Sequence, residues 1–291
     1  MSVDTIPAIV DADLLAELAK FENTPGYVVM LRALAQSQAK RNREHAALAD
    51  LPREKRRRAD TAKLLAASEP DPQDIRHMHS VLAICGLPYE RLPIEQRDFS
   101  RRQGNMALDI TSGILRDERG EPHLQPIPFG PKARLVLMHL CSEAIRQKAA
   151  TIEIADSLTG FVRDMGFSDS AGKRGPMTAF KEQLNAMAAA TMRISVWEDN
   201  RVRTRNITPI DQMDLWLPSN PDQRSLWPST VTFSDAMFKS IQQRSMPLNR
   251  HVIKALAGSA RKLDLYFWMN WRMHNLTAPL SLGWDSLYDQ F

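Results

Sequence analysis

Long apolar runs are missing from this chain: no stretch reaches the roughly 18 to 20 residues that a membrane-spanning helix needs. The first fifteen residues, MSVDTIPAIVDADLL, carry acids where a secretory signal would carry a basic segment, so a cytoplasmic location is expected. Cysteine is nearly absent, with only Cys85 and Cys141. Two cysteines far apart give no disulfide framework, and each sits in an apolar setting, as a buried thiol used for packing would. The common catalytic signatures are also missing: there is no HExxH, GxSxG or CxxC. The run from Gly166 to Gly172-Lys173 has one residue too many for a phosphate loop, and Arg174 stands where Ser or Thr would hold magnesium. His77 and His79 lie two apart, with no cysteine or carboxylate completing a metal set. Neither a catalytic activity nor a cofactor or metal is expected.

What the chain does have is unevenly placed basic charge. The net charge is +4 over 291 residues. Between Ala171 and Asn206, seven basic residues (Lys173, Arg174, Lys181, Arg193, Arg201, Arg203, Arg205) face three acids, so this stretch alone is as positive as the whole. A second cluster runs from Lys40 to Arg58 and ends in the run Arg53-Glu54-Lys55-Arg56-Arg57-Arg58, which reads as a solvated helix face or a non-specific phosphate contact. Local basic clusters in a nearly balanced chain point to nucleic acid.

Residues 12–67 read as helical, with Pro25 and Pro52 each opening a helix. Leu14, Leu15, Leu18 and Phe21 fall on one amphipathic face, which either packs on its own domain or dimerises. Six prolines between 87 and 131 break any helical period, so short strands and loops are expected there. Regularity returns at Ala133. Apolar positions 137, 140, 141, 144 and 145 make the stripe of a core-facing helix. A short extended piece, TIEI, follows. Asp156 or Ser157 then caps a second helix, which Gly166 ends in the left-handed conformation. Pro176 opens a third helix through about Ala190. Two alternating runs, MRISV and RVRTRNI, flank Glu198-Asp199-Asn200 and read as a β-hairpin. Three helices followed by a hairpin is the order of a winged helix-turn-helix.

A partial second copy follows. ARLVLMHL (133–140) is echoed by ARKLDLYFW (260–268), and Asp156-Ser157-Leu158 by Asp285-Ser286-Leu287. Ser234 and Ser259 cap helices in this copy, and the aromatics from Tyr266 to Trp271 read as core. The fold expected is mainly α with small β-hairpins (α+β), as tandem winged-helix domains of which the second is incomplete at the C-terminus. The boundaries read as an N-terminal helical region (1–67), a proline-containing connecting segment (68–130), a first winged-helix domain (131–217) and a second (226–291) that stops before its recognition helix.

On the third helix, Phe180, Leu184 and Met187 share a face suited to the core. Thr178, Lys181 and Asn185, spaced i, i+3, i+7, share another. Thr and Asn can bond base edges in the major groove, and Lys can contact guanine or phosphate. Lys173 and Arg174 precede the helix start, where free backbone N–H groups favour phosphate. On a strand Arg201, Arg203 and Arg205 point the same way, and such a row of like charges asks for an anionic partner along the duplex backbone or in the minor groove. The competing reading of this row is a charged edge that blocks strand addition.

Three segments carry a resemblance. PFGPKARLVLMHLCSEAIR (128–146), SLTGFVRDMGFSDSAGKRGPMTAFKEQLNAMAAATMRI (157–194) and ARKLDLYFWMNWRMH (260–274) resemble the plasmid-encoded RepA replication initiators of broad-host-range plasmids, over roughly residues 86 to 291. The resemblance implies an initiator that binds repeated duplex DNA sites at a plasmid origin and represses its own promoter. It also implies recruitment of the host replication initiator and replicative helicase machinery, and dimers in some states. The alternatives are a winged-helix transcriptional regulator without a replication role, or a protein-interaction module that binds no DNA. For a relaxase or primase, no tyrosine or carboxylate–histidine cluster offers support.

Overall fold

A computed structural model of the protein describes residues 8–67, 71–117, 119–167, 175–198, 201–214, 230–274 and 276–291. The chain divides into two compact units, residues 1–67 and 68–291.

The first unit is helical, as its composition suggests: α1 (Ala12–Ala19), α2 (Tyr27–Ala49) and α3 (Arg53–Ala67). Leu14 and Leu18 turn inward onto Leu34, with Tyr27, Met30 and Leu31 packed around them. Two of the four residues read as a helix face are therefore spent inside their own unit, while Leu15 stays exposed. Gln38 is buried, and its Oε1 accepts from Val10 N and Asp11 N at 3.1 and 3.0 Å, satisfying amides ahead of α1. Arg41 pairs with Asp11 at 2.7 Å and Asp13 at 2.8 Å. In the basic run, Arg56 donates to Ala49 O and Leu51 O, closing the C-terminal end of α2.

The second unit is a mixed α+β fold. Its elements are β1 (Ile75–His79), α4 (Ser80–Cys85), β2 (Asp98–Gln103), β3 (Met106–Thr111), β4 (Ile114–Arg116), β5 (Pro122–Leu124), α5 (Gly130–Gln147), β6 (Thr151–Glu153), α6 (Ala155–Asp164) and α7 (Pro176–Ala189). They continue with β7 (Thr191–Glu198), β8 (Arg201–Ile207), β9 (Ile210–Asp214), β10 (Thr230–Phe233), α8 (Asp235–Arg244), β11 (Ser245–Asn249), α9 (Arg250–Leu256), α10 (Ala260–His274) and α11 (Trp284–Gln290). Strand pairing crosses every boundary drawn from sequence within this unit. β1 pairs with β11, β3 with β7 and β6 with β10, all antiparallel. Residues 68–291 thus form one compact unit, where the sequence suggested a connecting segment and two domains, because the backbone groups of each part find their partners in another.

The proline-containing stretch is ordered by one guanidinium. Arg97 donates to the carbonyls of Ile94, Ser112, Gly113 and Gln125 at 2.8–3.1 Å, gathering loops too rich in proline to pair among themselves. Gly104, at φ +55°, and Asn105 turn β2 into β3.

Helix α5 is the axis. The stripe expected at 137–145 understates it, because residues 133–142 are all buried. β1, α7, α8, α10 and β6 pack around it, so every side needs an apolar side chain. The polar exceptions are Arg134, His139 and Ser142, and of these Arg134 is 2% exposed. Its Nε and Nη2 grip both oxygens of Asp264 on α10 at 2.6 Å, and its Nη1 and Nη2 donate to Leu87 O, Pro88 O and Gly130 O. Helices α5 and α10 carry the echoed sequences, so this pair joins one copy to the other. Cys85 and Cys141 are fully buried, and burial pushes both thiols up to about 12.

Caps largely follow the sequence. Ser234 Oγ accepts from Met237 N, Ser259 Oγ from Lys262 N, α7 begins at Pro176, and Gly166 lies at φ +81°. Helix α6 differs: it starts at Ala155, so the N-cap position is Ile154, with no side-chain cap.

Two stability predictions follow from these buried polar groups. Asp264→Ala leaves a buried guanidinium without its counter-charge and should cost about 3–5 kcal/mol; urea unfolding will read it, and the double variant Arg134→Met/Asp264→Leu should cost much less than the two single changes together. His79, hydrogen-bonded to Ser240 Oγ, and His139, stacked on Phe161 at 4.5 Å, are both held down to about 4 by burial. The unfolded chain binds protons near 6.5 and the folded chain only near 4, so stability is lost as pH falls through that window. Each histidine should remove about 2 kcal/mol between pH 7.5 and pH 5. Melting of His79→Asn should depend on pH less steeply than melting of the wild type.

Candidate nucleic-acid interface

Helix α7 divides its faces as its spacing dictates. Phe180, Leu184 and Met187 are buried. Thr178 is exposed, and Lys181 and Asn185 are half-buried on the remaining face. Two contacts missed in the sequence fix the helix in place. Gln183 is buried, and its Oε1 accepts from Phe129 N at 2.9 Å, just ahead of α5. Gly113, between β3 and β4, approaches the Ala189 carbonyl so closely that a Cβ there would overlap it. One residue, Ala190, then separates α7 from β7.

The electrostatics of this face are one-sided. Glu182 lies beside Lys181 in sequence, yet its carboxylate is taken by Arg91 at 2.7 Å. Lys181 makes no ion pair among the described residues, and burial lowers its pKa. A half-buried ammonium without a carboxylate gains from any anion that arrives. Lys173 and Arg174 lie outside the described residues.

Strands β7 and β8 pair antiparallel, with Arg201 opposite Glu198, Arg203 opposite Val196 and Arg205 opposite Ile194. The alternation therefore holds: the three arginines share one side of the sheet with Met192, Ile194 and Val196. All three are exposed. Arg203 and Arg205 have aliphatic cross-strand partners and no acid partner among the described residues. On the other side Arg193 donates to Asn206 Oδ1 at 2.9 Å, and Arg102 lies over Trp197, 5.0 Å from the ring centroid.

The hairpin is not an isolated wing. It continues into a four-stranded antiparallel sheet, β2-β3-β7-β8, with β8 at the edge. The short strand after the first helix, β6, pairs with β10 and not with the hairpin. The sequence underplayed β2 and β3 because prolines surround them. The signal was there: the alternating runs DFSRRQ and MALDIT flank Gly104-Asn105, a two-residue turn pair.

A second charged region behaves differently. A cavity of about 750 Å³ is lined by Arg76, His139, Glu143, Arg146, Asp164 and Arg250 among others. Here the charges satisfy one another: Arg250 contacts Asp164 at 2.9 Å and Asp74 at 3.3 Å, Arg76 lies 4.0 Å from Asp164, and Arg146 pairs with Glu143. Such a closed network leaves little charge for a ligand. No described helix is long and apolar enough to cross a membrane.

Comparison with known proteins gives a family. Among solved structures, the chain is similar to domains 2 and 3 of RctB in two crystal structures. One shares 10% identity at a TM-score of 0.43, covering 68% of this chain and 70% of that one. The other, from a selenomethionine derivative, shares 9% at a TM-score of 0.42, covering 67% and 73%. No curated protein matches by sequence. The family model described as plasmid encoded RepA protein matches residues 127–285, more than half of the chain and all of α5 through α10, so the chain belongs to the plasmid-encoded RepA family.

Proposed function

We propose that this protein is a plasmid replication initiator that grips duplex DNA with α7 and the β7–β8 hairpin, and that it does no chemistry of its own. The observation that supports DNA is the row of three exposed arginines on one side of the edge strand, with aliphatic neighbours where neutralising acids would stand at Arg203 and Arg205. In addition, Lys181 on α7 is half-buried and makes no ion pair among the described residues. Membership of the RepA family supports the role in initiation.

In this reading Thr178, Lys181 and Asn185 meet base edges in the major groove, while Arg201, Arg203 and Arg205 lie on phosphates. Lys173 and Arg174, ahead of α7, add phosphate contacts at its start. The sites are repeats at a plasmid origin, and the same recognition at its own promoter would repress the gene. The unit acts as winged-helix modules in tandem, with β2 and β3 stiffening the first wing. Host initiator and helicase components, and a second copy of the chain in a dimer, are the protein partners this role calls for.

Binding to a labelled duplex, measured against salt, tests the reading. The logarithm of affinity should fall by about 0.9 per phosphate contact for each tenfold rise in salt. Arg201→Ala/Arg203→Ala/Arg205→Ala should weaken binding to every duplex and flatten that slope; an unchanged slope overturns the assignment of the wing. Asn185→Ala should leave the slope alone and cost about 1–3 kcal/mol of discrimination between the cognate site and a mutated one. Equal loss on both duplexes would show that Asn185 reads no base.

A further inference from the structure

The other edge of the same sheet carries a second cluster of positive charge, centred on Tyr89. Three guanidiniums surround its ring: Arg101 on β2, Arg134 on α5 and Arg261 on α10, at 4.7, 5.3 and 5.2 Å from the centroid. Arg134 is paired with Asp264, and all its donors are spent there and on three carbonyls, while the same carboxylate acts on Arg101 without forming an ion pair with it. Arg101 and Arg261 make no ion pair among the described residues. Arg101 is half-buried and stacked between Tyr89 and Phe99, whereas Arg261 is exposed. The buried Tyr89 hydroxyl lies against the Asp264 carboxylate and Arg101, without a well-aligned hydrogen bond to either. Three like charges around one ring, with one carboxylate between them, leave two guanidiniums whose mutual repulsion an anion would relieve.

We propose that Arg101 and Arg261, both held against the Tyr89 ring, form a second phosphate anchor for the backbone of duplex DNA, apart from the wing. This rests on the DNA reading above and adds a contact to it. Planar guanidiniums suit a phosphodiester, because each can present two parallel N–H donors to its oxygens. The Tyr89 ring holds both in orientation by cation–π contact. Gly86 lets Arg101 and Asp264 approach the backbone closely, since a Cβ there would lie 2.8 Å from Asp264 Oδ2 and 3.1 Å from Arg101 Nη1.

The anchor is far enough from the wing to touch a different phosphate. Residues Arg101, Leu108, Ile194 and Arg205 form one cross-strand row. Three strand spacings put the ends of that row about 14 Å apart, on the same side of the sheet. A single phosphate cannot serve both.

Salt-dependent binding of a fluorescein-labelled duplex of random sequence tests this directly, using wild type, the triple wing variant and Arg101→Gln/Arg261→Gln. The anchor predicts that the Gln pair flattens the salt slope by about 1, as loss of one phosphate contact does, and that it further weakens the wing variant. A purely structural role for the cluster would lower the melting temperature and leave the slope alone, which overturns the anchor. A wild-type chain that binds no duplex overturns the DNA reading and the anchor with it, whereas an unchanged slope in the Gln pair overturns the anchor alone. Melting in inorganic phosphate against chloride of equal ionic strength separates the sources. Stabilisation by phosphate that the Gln pair abolishes, together with an unchanged duplex slope, would mean a free-anion site and overturn the backbone assignment. Should the Gln pair not fold, Arg101→Lys/Arg261→Lys keeps both charges and loses the forks; the anchor then predicts several-fold weaker binding, and unchanged affinity overturns it.

Discussion

A buried guanidinium in the first turns of the most buried described helix sets the terms for the second unit. Arg134 sits where α5 is packed on all sides, and a charge so placed is tolerable only if it is matched and fully bonded. Asp264 matches it with two bonds from α10, and Leu87, Pro88 and Gly130 supply carbonyls. That single side chain therefore fixes three things at once: the distance between the two echoed helices, the path of the chain after α4, and the start of α5. The loop it holds leads to Tyr89 and on to β2. The buried pair thus places the far edge of the sheet as well as the core.

From that framework the charges sort into two kinds. Around the 750 Å³ cavity, arginines and carboxylates neutralise each other, and the same is true of Arg41 with Asp11 and Asp13 in the first unit. Arg203 and Arg205 on β8, Lys181 on α7, and Arg101 and Arg261 beside Tyr89 make no ion pair among the described residues. Repulsion among them costs stability in the free protein, a cost that a bound polyanion would relieve. The four-stranded sheet gives the two positive edges a stiff common base, which a free-standing hairpin would lack.

Much of this was legible in the residues themselves. The start of α7 at Pro176, the inward set Phe180, Leu184 and Met187, and the common side of the three arginines all follow from local rules of period 3.6 and period 2. So do the serine caps at Ser234 and Ser259, and the buried thiols. The departures share one cause, which is pairing between segments distant in sequence. Nothing local says that β3 lies beside β7, that β6 joins β10, or that Arg134 meets an aspartate 130 residues away. Hence the sequence divides the second unit too finely, treats the wing as an isolated hairpin, and passes over Arg91 and Arg101. Gly104-Asn105 marked a hairpin that the neighbouring prolines disguised.

The central claim is that the β8 edge lies against duplex DNA, and one tethered-cleavage measurement tests it with every arginine kept in place. Val202, 61% exposed on β8 with its side chain on the side of the sheet opposite the three arginines, can be replaced by cysteine and coupled to an iron chelate on a tether that reaches past this edge strand, because the native thiols of Cys85 and Cys141 are buried and will not react. On the complex with origin DNA, the account predicts strand cuts clustered within a few base pairs on one face of the bound site. A stable complex in which the chelate at position 202 leaves the duplex uncut would contradict it.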